Sequence, residues 1–593
     1  MTVPLSPQQT DVANHPGSVY VRACPGAGKT RTLVARAVRL AGTLPPARGI
    51  ALLSFTNSAA DEFKERLLKV GAAGLLKPPH FVGTIDSFLA RFVVMPRGNP
   101  WAPELPIQHV ESWRRYTFST VIGRTAGGKP DLRTLPLSVF PVTSVDLGTG
   151  EIVLELDLDR LGRERGRGLA SQIEGRGDSV IGRAEATATK VLKAQLVRGW
   201  LSPAEVRLLA AEFLLAKGEL AAAHNRNLFA RFPQLVVDEA QDCDGVILAL
   251  LQGLAETGTQ LTLIADPDQC IYAWRGAKPK ELVQLSKSWA KPPTLTGNYR
   301  SSPNICRAAS AFKEVSSVDE SRGHNSDCDF PVFVAPLKFS EPSSVGRLFL
   351  ELLREHSICA SDAIVLAPSW SLAMAIAGVQ RPANAKQKLG GKLRAACFTA
   401  RNRADIGSLK NVRELVEDYL VKRVAAGALP SDDPRVNDWV DAEIRRLTCE
   451  VLIANPETDD WHTETLETLQ TFRLPPTVAL GESSPRKCLP KPGKPLEVPA
   501  SPVSGLAYSS VHQAKGREYP AVLYAAGRSV DYKLRELMED WTARRSGSER
   551  RAVAYVGVTR AERLLLFATP QKLLDDTQGL LQRDGATVEL REP

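Results

Sequence analysis

Two stretches of the chain carry short apolar runs that alternate with segments of helical apolar spacing. In the first stretch, the apolar run 18–21 is followed by a segment in which Leu33, Ala37 and Leu40 recur at helical spacing. Buried strands that alternate with helices are typical of a parallel α/β sheet. The strands predicted for this sheet are 18–21, 49–57, 81–88, 232–237 and 260–265.

A second set of apolar runs predicts a second sheet further along the chain. A helix is predicted at 344–355, and a helix and turn are predicted at 549–562 before the last strand. The predicted fold class is therefore α/β, with two parallel-sheet domains. The strands predicted for this sheet are 330–334, 363–367, 507–511, 522–525 and 564–567.

The alternation is interrupted between 92 and 214, which predicts an inserted region. Alternating runs at 135–158 predict a β-hairpin, and 187–217 predicts helices with a break near Ser202 and Pro203. The segment 160–183 is rich in Gly and Arg. It is interpreted as a mobile, solvated loop, with a phosphate-contacting arm as the alternative.

A second interruption follows in the second sheet. Residues 395–472 have a helical period, and 484–502 is a Pro- and Lys-rich stretch that predicts an extended linker.

Composition limits the kinds of protein that this chain could be, but it does not indicate a specific function. The chain has 593 residues, a formal net charge of +9 and a pI near 9.0, which is compatible with a polyanionic partner without requiring one. Its length predicts roughly three to five domains. The nine cysteines form no metal-ligand pattern, so we expect reduced thiols and a cytoplasmic location. No signal-like start or long apolar run is found, so no export or membrane partner is expected.

The stretch 21–32 adds the first specific chemistry. Glycines stand where the backbone must approach phosphates, a lysine can reach the outer phosphates, and a hydroxyl can hold Mg²⁺. The strand before and the helix after supply the context that a phosphate loop needs. The first glycine of the usual pattern is replaced by Ala23. The predicted nucleoside triphosphate site consists of Ala23, Cys24, Pro25, Gly26, Ala27, Gly28, Lys29, Thr30 and Arg31.

Polar residues near the other predicted strands extend this site. Asp238 and Glu239 end an apolar strand, so one carboxylate can hold Mg²⁺ and the other can accept a proton from an attacking water. Gln269 follows the strand 260–265, the last strand of the first sheet along the chain, and is placed to sense a terminal phosphate. Gln9, in a short helix with Ser6 as N-cap, is interpreted as an exposed amide that could read an adenine edge, or that is merely solvated.

Aromatic and cationic residues follow Gln269. Tyr272, Trp274 and Arg275 combine stacking faces with a cation, which suits single-stranded nucleic acid. The alternative is that the aromatic rings belong to the core.

These motifs, in this order, resemble those of superfamily 1A helicases, the UvrD/Rep/PcrA-like family. The resemblance rests above all on 238–242, 268–277 and 554–561, and it spans residues 5 to about 570. It implies two RecA-like P-loop NTPase motor domains, each with an inserted, mainly helical accessory domain. The implied bounds are 1–91 and 215–280 for the first motor domain, 92–214 for its insertion, 281–389 and 505–575 for the second, 390–504 for its insertion, and 576–593 for a tail.

The resemblance also implies roles in the ATP site. Gln9 would read adenine, Tyr299 would stack on it, and Glu518 would contact the ribose. Gln269 would couple the terminal phosphate to DNA. The implied catalytic residues are Lys29, Asp238, Glu239, Gln269, Arg300 and Arg560, of which Arg300 and Arg560 would be arginine fingers from the second motor domain, and Thr30 and Asp238 would hold the metal.

On the DNA side, the resemblance implies contacts by Phe55, Asn57, Tyr272, Trp274, Arg275 and His512. Two departures from the family pattern stand out. Cys24 replaces a small residue of the phosphate loop, and Asp86 places a negative charge where the family has a histidine facing DNA.

The implied activity is ATP-dependent, 3′→5′ translocation and unwinding on single-stranded and tailed duplex DNA, with ATP and Mg²⁺. The pathways in view are DNA repair, recombination and phage defence, because compact members of this branch include the helicase subunits of Gabija-type systems, which partner an OLD-like nuclease. The alternative is an ATP-gated subunit that binds DNA or a nuclease or repair partner and unwinds little. A kinase is the third alternative.

Overall fold

The computed structural model describes residues 4–110, 112–113, 116–124, 127–146, 149–165, 167–216, 218–272, 276–287, 289, 294–379, 389–403, 406–424, 434–456, 458, 460–471, 505–527, 534–545 and 547–593. The chain folds into two compact units. One comprises Met1–Pro96, Ala210–Gln380 and Ser501–Pro593, and the other comprises Arg97–Leu209 and Arg381–Ala500.

The first sheet lies in the first unit and consists of five parallel strands. The three central strands are almost entirely buried, as expected where helices cover both faces. The helices Lys29–Ala41, Asn57–Lys69 and Gly245–Glu256 follow three of the strands. In spatial order the strands are Val19–Arg22, Gln260–Ala265, Gln234–Val237, Ile50–Ser54 and Phe81–Thr84, which confirms the predicted parallel sheet.

The strand predicted at 81–88 is shorter than expected. It ends at Thr84, and Ile85–Phe88 form a helical turn that continues into the π-helical turn Leu89–Val94. Thr84 Oγ1 accepts the N–H of Ser87 at 3.2 Å, so this side chain caps the turn and stops the strand. Asp86 consequently lies in the first turn of a helix.

The second sheet also belongs to the first unit and has six parallel strands. Helices Ser343–Glu355 and Trp370–Ile376 pack on one face. Helices Pro303–Ser310, Leu534–Thr542 and Glu549–Val558 pack on the other. In spatial order the strands are Ala507–Ser510, Ala363–Ala367, Tyr519–Ala525, Ala561–Pro570, Val332–Leu337 and Val588–Leu590.

The residues after 575, predicted as a tail, are part of this sheet. Helix Leu574–Gln582 buries Leu580 and Leu581 against it, and Val588–Leu590 pairs with Val332–Val334 as the edge strand. The prediction missed them because one three-residue edge strand carries too little periodicity to be recognised.

The inserted region at 97–209 contains two antiparallel hairpins. The strands Val142–Asp146 and Glu151–Leu154 form the predicted hairpin. The strands Thr117–Arg124 and Pro130–Pro136 form another that was not predicted. Its inward face includes Thr120 beside apolar residues, which weakens the alternation on which strand prediction depends.

The prediction of a loop at 160–183 is wrong. This segment is helical, with Leu158–Arg165, Arg167–Glu174 and the start of Asp178–Leu196. Leu161 and Ile173 are fully buried, and Ala170 and Val180 are nearly so. A narrow apolar face is enough to pack a helix, because arginine heads can stay in water while their stems lie along the surface. The break predicted near Ser202 is confirmed, since helix Pro203–Leu215 begins directly after it.

The inserted region at 381–500 is helical where it is described. Its helices bury Tyr419, Leu447 and Trp461 together, which agrees with the helical period of 395–472. The predicted linker 484–502 lies outside the described residues. The helices are Leu389–Arg403, Ile406–Val424, Pro434–Ile453 and Trp461–Gln470.

The remaining helices of the first unit are Pro7–Asn14, Glu219–Arg231, Pro279–Leu285 and Val511–Ala514. Within the described ranges, no helix is both long enough and apolar enough to cross a membrane.

Candidate nucleotide site

The phosphate loop joins the strand Val19–Arg22 to the helix Lys29–Ala41. Gly26 and Gly28 have φ angles of 72° and 71°, a left-handed conformation that glycine adopts without steric cost. A Cβ at Gly26 would also collide with the side chain of Asn298. Both glycines are therefore required by the shape of the loop and by its close neighbours.

A second segment of backbone, 295–299, holds the loop from the other side. The N–H of Cys24 donates to the carbonyl of Leu295 at 2.9 Å, and the N–H of Tyr299 donates to the carbonyl of Gly26 at 2.9 Å. Tyr299 and Arg300 are thereby placed next to the loop.

Cys24 is 7% exposed and packs in the core of the first sheet. Burial raises the pKa of its thiol well above the usual value, so this side chain is a small, unreactive, mainly apolar group.

Gln9 is not exposed, contrary to the prediction. It is 2% exposed, and its Oε1 accepts the N–H of Ser6 at 3.0 Å while its Nε2 donates to the carbonyl of Ala27 at 2.9 Å. The N–H of Gln9 in turn donates to Ser6 Oγ at 3.2 Å, which completes a capping box at the start of the helix Pro7–Asn14. The predicted N-cap at Ser6 is therefore confirmed, but the amide faces the phosphate loop.

The acidic pair lies at the carboxyl end of the strand Gln234–Val237, beside the loop. Thr30 Oγ1 lies 3.4 Å from Asp238 Oδ2, and Lys29 Nζ lies 3.6 Å from Glu239 Oε1. Glu239 has a φ of 52°, a left-handed conformation that is uncommon for a residue with a side chain. The structure thus brings together the four residues predicted to act on phosphate, metal and water.

The two carboxylates differ in their electrostatic surroundings. Burial, and then the adjacent Glu239, raises the pKa of Asp238 to about 7. Burial also acts to raise the pKa of Glu239, but Lys29, Lys515 and a hydrogen bond from Gln241 outweigh it and lower the pKa to about 2. Glu239 is therefore the carboxylate that stays ionised without a bound cation.

The residues present fit a nucleotide with Mg²⁺. Magnesium prefers oxygen ligands and keeps several waters, and Thr30 Oγ1 and Asp238 Oδ2 already lie side by side at 3.4 Å. Successive backbone N–H groups in loops of this conformation can bind phosphate oxygens, and the ammonium group of Lys29 supplies a positive charge beside them.

Arg560 directly precedes the strand Ala561–Pro570 of the second sheet, and Arg300 precedes the helix Pro303–Ser310 that packs on this sheet. Both arginines reach the same region. Arg560 is 2% exposed and its Nη2 donates to Gln269 Oε1 at 3.0 Å. Arg300 forms an ion pair with Glu518, and its Nη1 donates to the carbonyl of Thr559 at 3.1 Å. Burial, and then the nearby Arg300, lowers the pKa of Arg560 to about 9. Both predicted arginine fingers thus lie against residues of the site.

Lys515 was missed in the sequence analysis. Its Nζ lies 2.7 and 2.9 Å from the carboxylate oxygens of Asp242, 3.0 Å from the carbonyl of Gln269 and 5.0 Å from the centre of the Tyr272 ring. Asp242 is buried, and a buried carboxylate requires a cation. The signal available in the sequence was Asp242 itself, the last acid of the 238–242 motif, because a buried acid there needs a cation beside it.

The structure brings together two of the residues predicted to contact DNA. The rings of Tyr272 and His512 are 6.0 Å apart, and the Tyr272 hydroxyl lies 3.4 Å from the carbonyl of His512. Phe55 is half-buried and Asn57 is exposed where the helix Asn57–Lys69 begins. Trp274 and Arg275 lie outside the described residues.

Arg551 was also missed. Its Nη1 lies 2.6 Å from Asp268 Oδ1 and donates to the carbonyl of Phe312 at 2.5 Å. Both side chains are buried, so this ion pair joins the helix Glu549–Val558 to the loop that carries Gln269.

Comparison with known proteins shows which proteins this chain resembles in sequence. Residues 5–112 and 193–290 match the UvrD/REP helicase N-terminal domain. The chain is 27% identical to DNA helicase II of Escherichia coli (strain K12) over 315 residues, which is 52% of this chain and 40% of that protein. It is 43% identical over 77 residues to the ATP-dependent DNA helicase Rep of the same organism, covering 13% of this chain and 11% of Rep.

A third relative is the ATP-dependent DNA helicase PcrA of Leuconostoc citreum, 37% identical over 83 residues, or 14% of this chain and 11% of PcrA. The alignments therefore span between 11% and 40% of these three relatives' lengths. They fall on the family whose motifs the sequence resembles, and the matched domain contains the phosphate loop and the acidic pair. Over residues 5–112 and 193–290 the chain is therefore similar to the N-terminal domain of UvrD/REP helicases.

Proposed function

We propose that this chain is an ATP-dependent DNA translocase and helicase that moves 3′→5′ along single-stranded DNA. The observation that supports it most directly is the hydrogen bond between Arg560 and Gln269, because it joins a segment of the second sheet to the end of the first sheet beside the phosphate loop. Each parallel sheet is then a RecA-like motor domain, and the inserted regions are accessory domains.

In this proposal ATP lies on the phosphate loop, with Lys29 at the outer phosphates. Thr30 and Asp238 hold Mg²⁺, which neutralises charge on the phosphate oxygens when bound. Glu239 accepts a proton from the attacking water, and the low pKa of this carboxylate keeps it available as an acceptor at neutral pH. Arg300 and Arg560 stabilise the charge that develops on the transferred phosphoryl group.

Movement on DNA would follow from the same residues. Tyr299 and Glu518 hold the base and the sugar, and Gln269 transmits the state of the terminal phosphate to Tyr272, three residues further along the chain. Tyr272 and His512 form a half-buried aromatic pair that single-stranded DNA could contact by stacking. Phe55, Asn57, Trp274 and Arg275 would extend this contact.

The proposal is tested with the purified chain. ATP turnover is measured with and without single-stranded DNA, and strand displacement is measured on duplexes with a 3′ or a 5′ tail. We expect DNA to stimulate ATP turnover and the 3′-tailed duplex alone to be unwound. Lys29→Ala serves as the control for a contaminating ATPase.

The outcomes separate the alternatives. DNA-stimulated turnover without displacement would favour an ATP-gated subunit that binds DNA or a partner protein and unwinds little. Displacement from the 5′-tailed duplex would contradict the proposed polarity. Turnover that DNA does not stimulate would contradict both functions.

A further inference from the structure

Four phenylalanine rings pack together at the amino ends of strands in the first sheet, on the edge opposite the phosphate loop. Phe81 is the first residue of its strand, and Phe232 lies just before the strand Gln234–Val237. The ring centre of Phe92 is 5.3 Å from that of Phe81 and 4.8 Å from that of Phe232. Phe232 and the fourth ring, Phe88, are buried, whereas Phe81 and Phe92 are half-buried and reach the surface.

Two arginine side chains lie over these rings. The Cζ of Arg91 is 5.4 Å from the ring centre of Phe92, and the Cζ of Arg231 is 5.0 Å from the same centre and 5.2 Å from that of Phe232. Both arginines are exposed, and neither side chain forms an ion pair or a hydrogen bond with another described residue. A guanidinium held against a ring keeps its N–H donors available and loses little freedom when it binds a carboxylate.

The surface around these rings carries only positive charge. We call it the amino corner, formed by the segments 43–49, 70–80, 89–96 and 224–233, all of which belong to the first unit. These segments contain no Asp or Glu. Their arginines and lysines are all exposed and have no ion-pair partner among the described residues, and they are Arg48, Lys77, Arg91, Arg226 and Arg231.

The last acids of the two helices that end at this edge are engaged elsewhere. Lys69 Nζ lies 2.8 Å from Glu65 Oε1, and Gln252 Nε2 donates to Glu256 Oε1 at 2.9 Å. The cations of the amino corner are thus left without carboxylates of this chain beside them. An uncompensated group of like charges attracts a partner of the opposite sign.

The apolar part of the amino corner favours a protein partner over a nucleic acid. Leu76 and Met95 are 36% and 45% exposed. The guanidinium groups of Arg91 and Arg231 already lie over the ring of Phe92, where a base would have to stack. Arginine, methionine and aromatic side chains are enriched in protein–protein interfaces.

We propose that the amino corner is a docking surface for a partner protein that presents an acidic segment with aromatic or aliphatic side chains. The carboxylates of this segment bind Arg91 and Arg231, and its apolar side chains pack against Phe81 and Phe92. The nucleotide site lies at the carboxyl ends of the same strands, so a docked partner leaves it open. This inference goes beyond the proposed function and does not depend on it.

The experiment measures fluorescence anisotropy of a labelled peptide, Asp-Asp-Phe-Glu-Asp-Leu-Phe-Asp-Asp, titrated with the full chain. We expect the wild-type chain to bind it, and the variant with both Arg91→Glu and Arg231→Glu to bind at least about tenfold more weakly. A peptide with serine in place of its Phe and Leu residues should bind the wild-type chain more weakly than the original. Lys338→Glu, at an exposed position that follows a strand of the second sheet, is the matched control and should bind as wild type.

A second variant guards against misfolding. The pair Arg91→Gln and Arg231→Gln keeps long polar side chains without the charge, so it should weaken peptide binding less than the glutamate pair. Circular dichroism checks the fold of both double variants. Their ATP turnover should equal that of the wild-type chain, because neither arginine lies near the phosphate loop.

Four outcomes would overturn the inference. They are absence of peptide binding to the wild-type chain, equal binding by wild type and both double variants, equal binding of the serine peptide, and loss of oligothymidine binding in the double variants with peptide binding retained. The last would assign the amino corner to DNA. Sedimentation velocity adds one more test, because self-association of the wild-type chain that both double variants lose would assign the surface to a second copy. A wild-type chain without ATP turnover would contradict the proposed function alone, since peptide binding requires no turnover.

Discussion

Arg560 Nη2 donates a hydrogen bond to Gln269 Oε1 at 3.0 Å, and Gln269 Nε2 donates to Asp266 Oδ2 at 2.8 Å. A cation that follows the helix Glu549–Val558 is thus connected, through one amide, to the end of the strand Gln260–Ala265. The amide has a donor for the acid and an acceptor for the arginine, so its orientation is fixed by both partners.

Arg560→Ala is expected to leave nucleotide binding nearly unchanged and to lower kcat by on the order of 10³ or more, because an arginine finger acts mainly on the transition state. Turnover at saturating ATP and binding of a fluorescent ATP analogue measure the two effects. Arg560→Lys keeps a charge but loses the planar guanidinium, so it should recover only part of the rate. Loss of binding as large as the loss of rate would contradict this role.

Lys29→Ala is expected to abolish detectable turnover by removing the cation nearest Glu239 and the outer phosphates, 3.6 Å from Glu239 Oε1 in this structure. The assay is phosphate release with saturating DNA, and circular dichroism checks the fold. Lys29→Ala should also weaken nucleotide binding, whereas Arg560→Ala should not. Equal effects of both variants on binding would argue against a site completed from the second sheet.

Lys515→Met is expected to reduce DNA-stimulated turnover by about 10²-fold, the scale of a small misplacement of catalytic groups. The variant leaves the buried Asp242 without its cation and releases the carbonyl of Gln269 and the ring of Tyr272. Turnover is measured against DNA concentration. Lys515→Arg, which keeps the charge, should be less impaired. Unchanged DNA stimulation in Lys515→Met would exclude a role of Lys515 in coupling DNA binding to turnover.

Tyr272→Ala is expected to weaken binding of single-stranded DNA by roughly 1–3 kcal/mol, the value of one stacked base. Fluorescence anisotropy with a labelled oligothymidine measures it. Tyr272→Phe keeps the ring and removes only the hydroxyl near the carbonyl of His512, so it should bind almost as wild type. If both variants bound equally well, the ring would belong to the core, as the sequence alternative holds.

Arg551→Met is expected to destabilise the first unit by about 3–5 kcal/mol, because it leaves the buried carboxylate of Asp268 unpaired. Thermal unfolding of the full chain reports this as a lower midpoint. The double variant with Asp268→Asn should be less destabilised than the sum of the two single variants. Additive effects would mean that the two side chains contribute independently.

The phosphate loop and the acidic pair could be predicted because their chemistry is local in sequence. Gly26, Gly28, Lys29 and Thr30 lie within five residues, and Asp238 follows a buried strand. Both sheets could likewise be recognised from apolar runs, although the strand order could not, because parallel strands pair with partners far away in the chain.

The errors have a different origin. Gln9 faces the loop because of a carbonyl 18 residues away, and Arg551 pairs with an acid 283 residues away, distances at which a sequence pattern carries no geometric information. The helices at 160–183 were hidden by composition, because arginine and glycine suggest a loop while a few buried residues such as Ile173 decide the structure.

The strand Ala561–Pro570 has a consequence for how the protein folds. It pairs with Tyr519–Ala525 on one side and with Val332–Leu337 on the other, so it alone connects the two halves of the second sheet. During synthesis, the strand Val332–Leu337 emerges more than 200 residues before this partner. Until then its apolar residues have no sheet to join, and slow closure of such distant contacts leaves them exposed to aggregation. A ribosome-bound chain that ends before Ala561 should therefore depend on chaperones, whereas the first sheet, complete at Ala265, should already be folded.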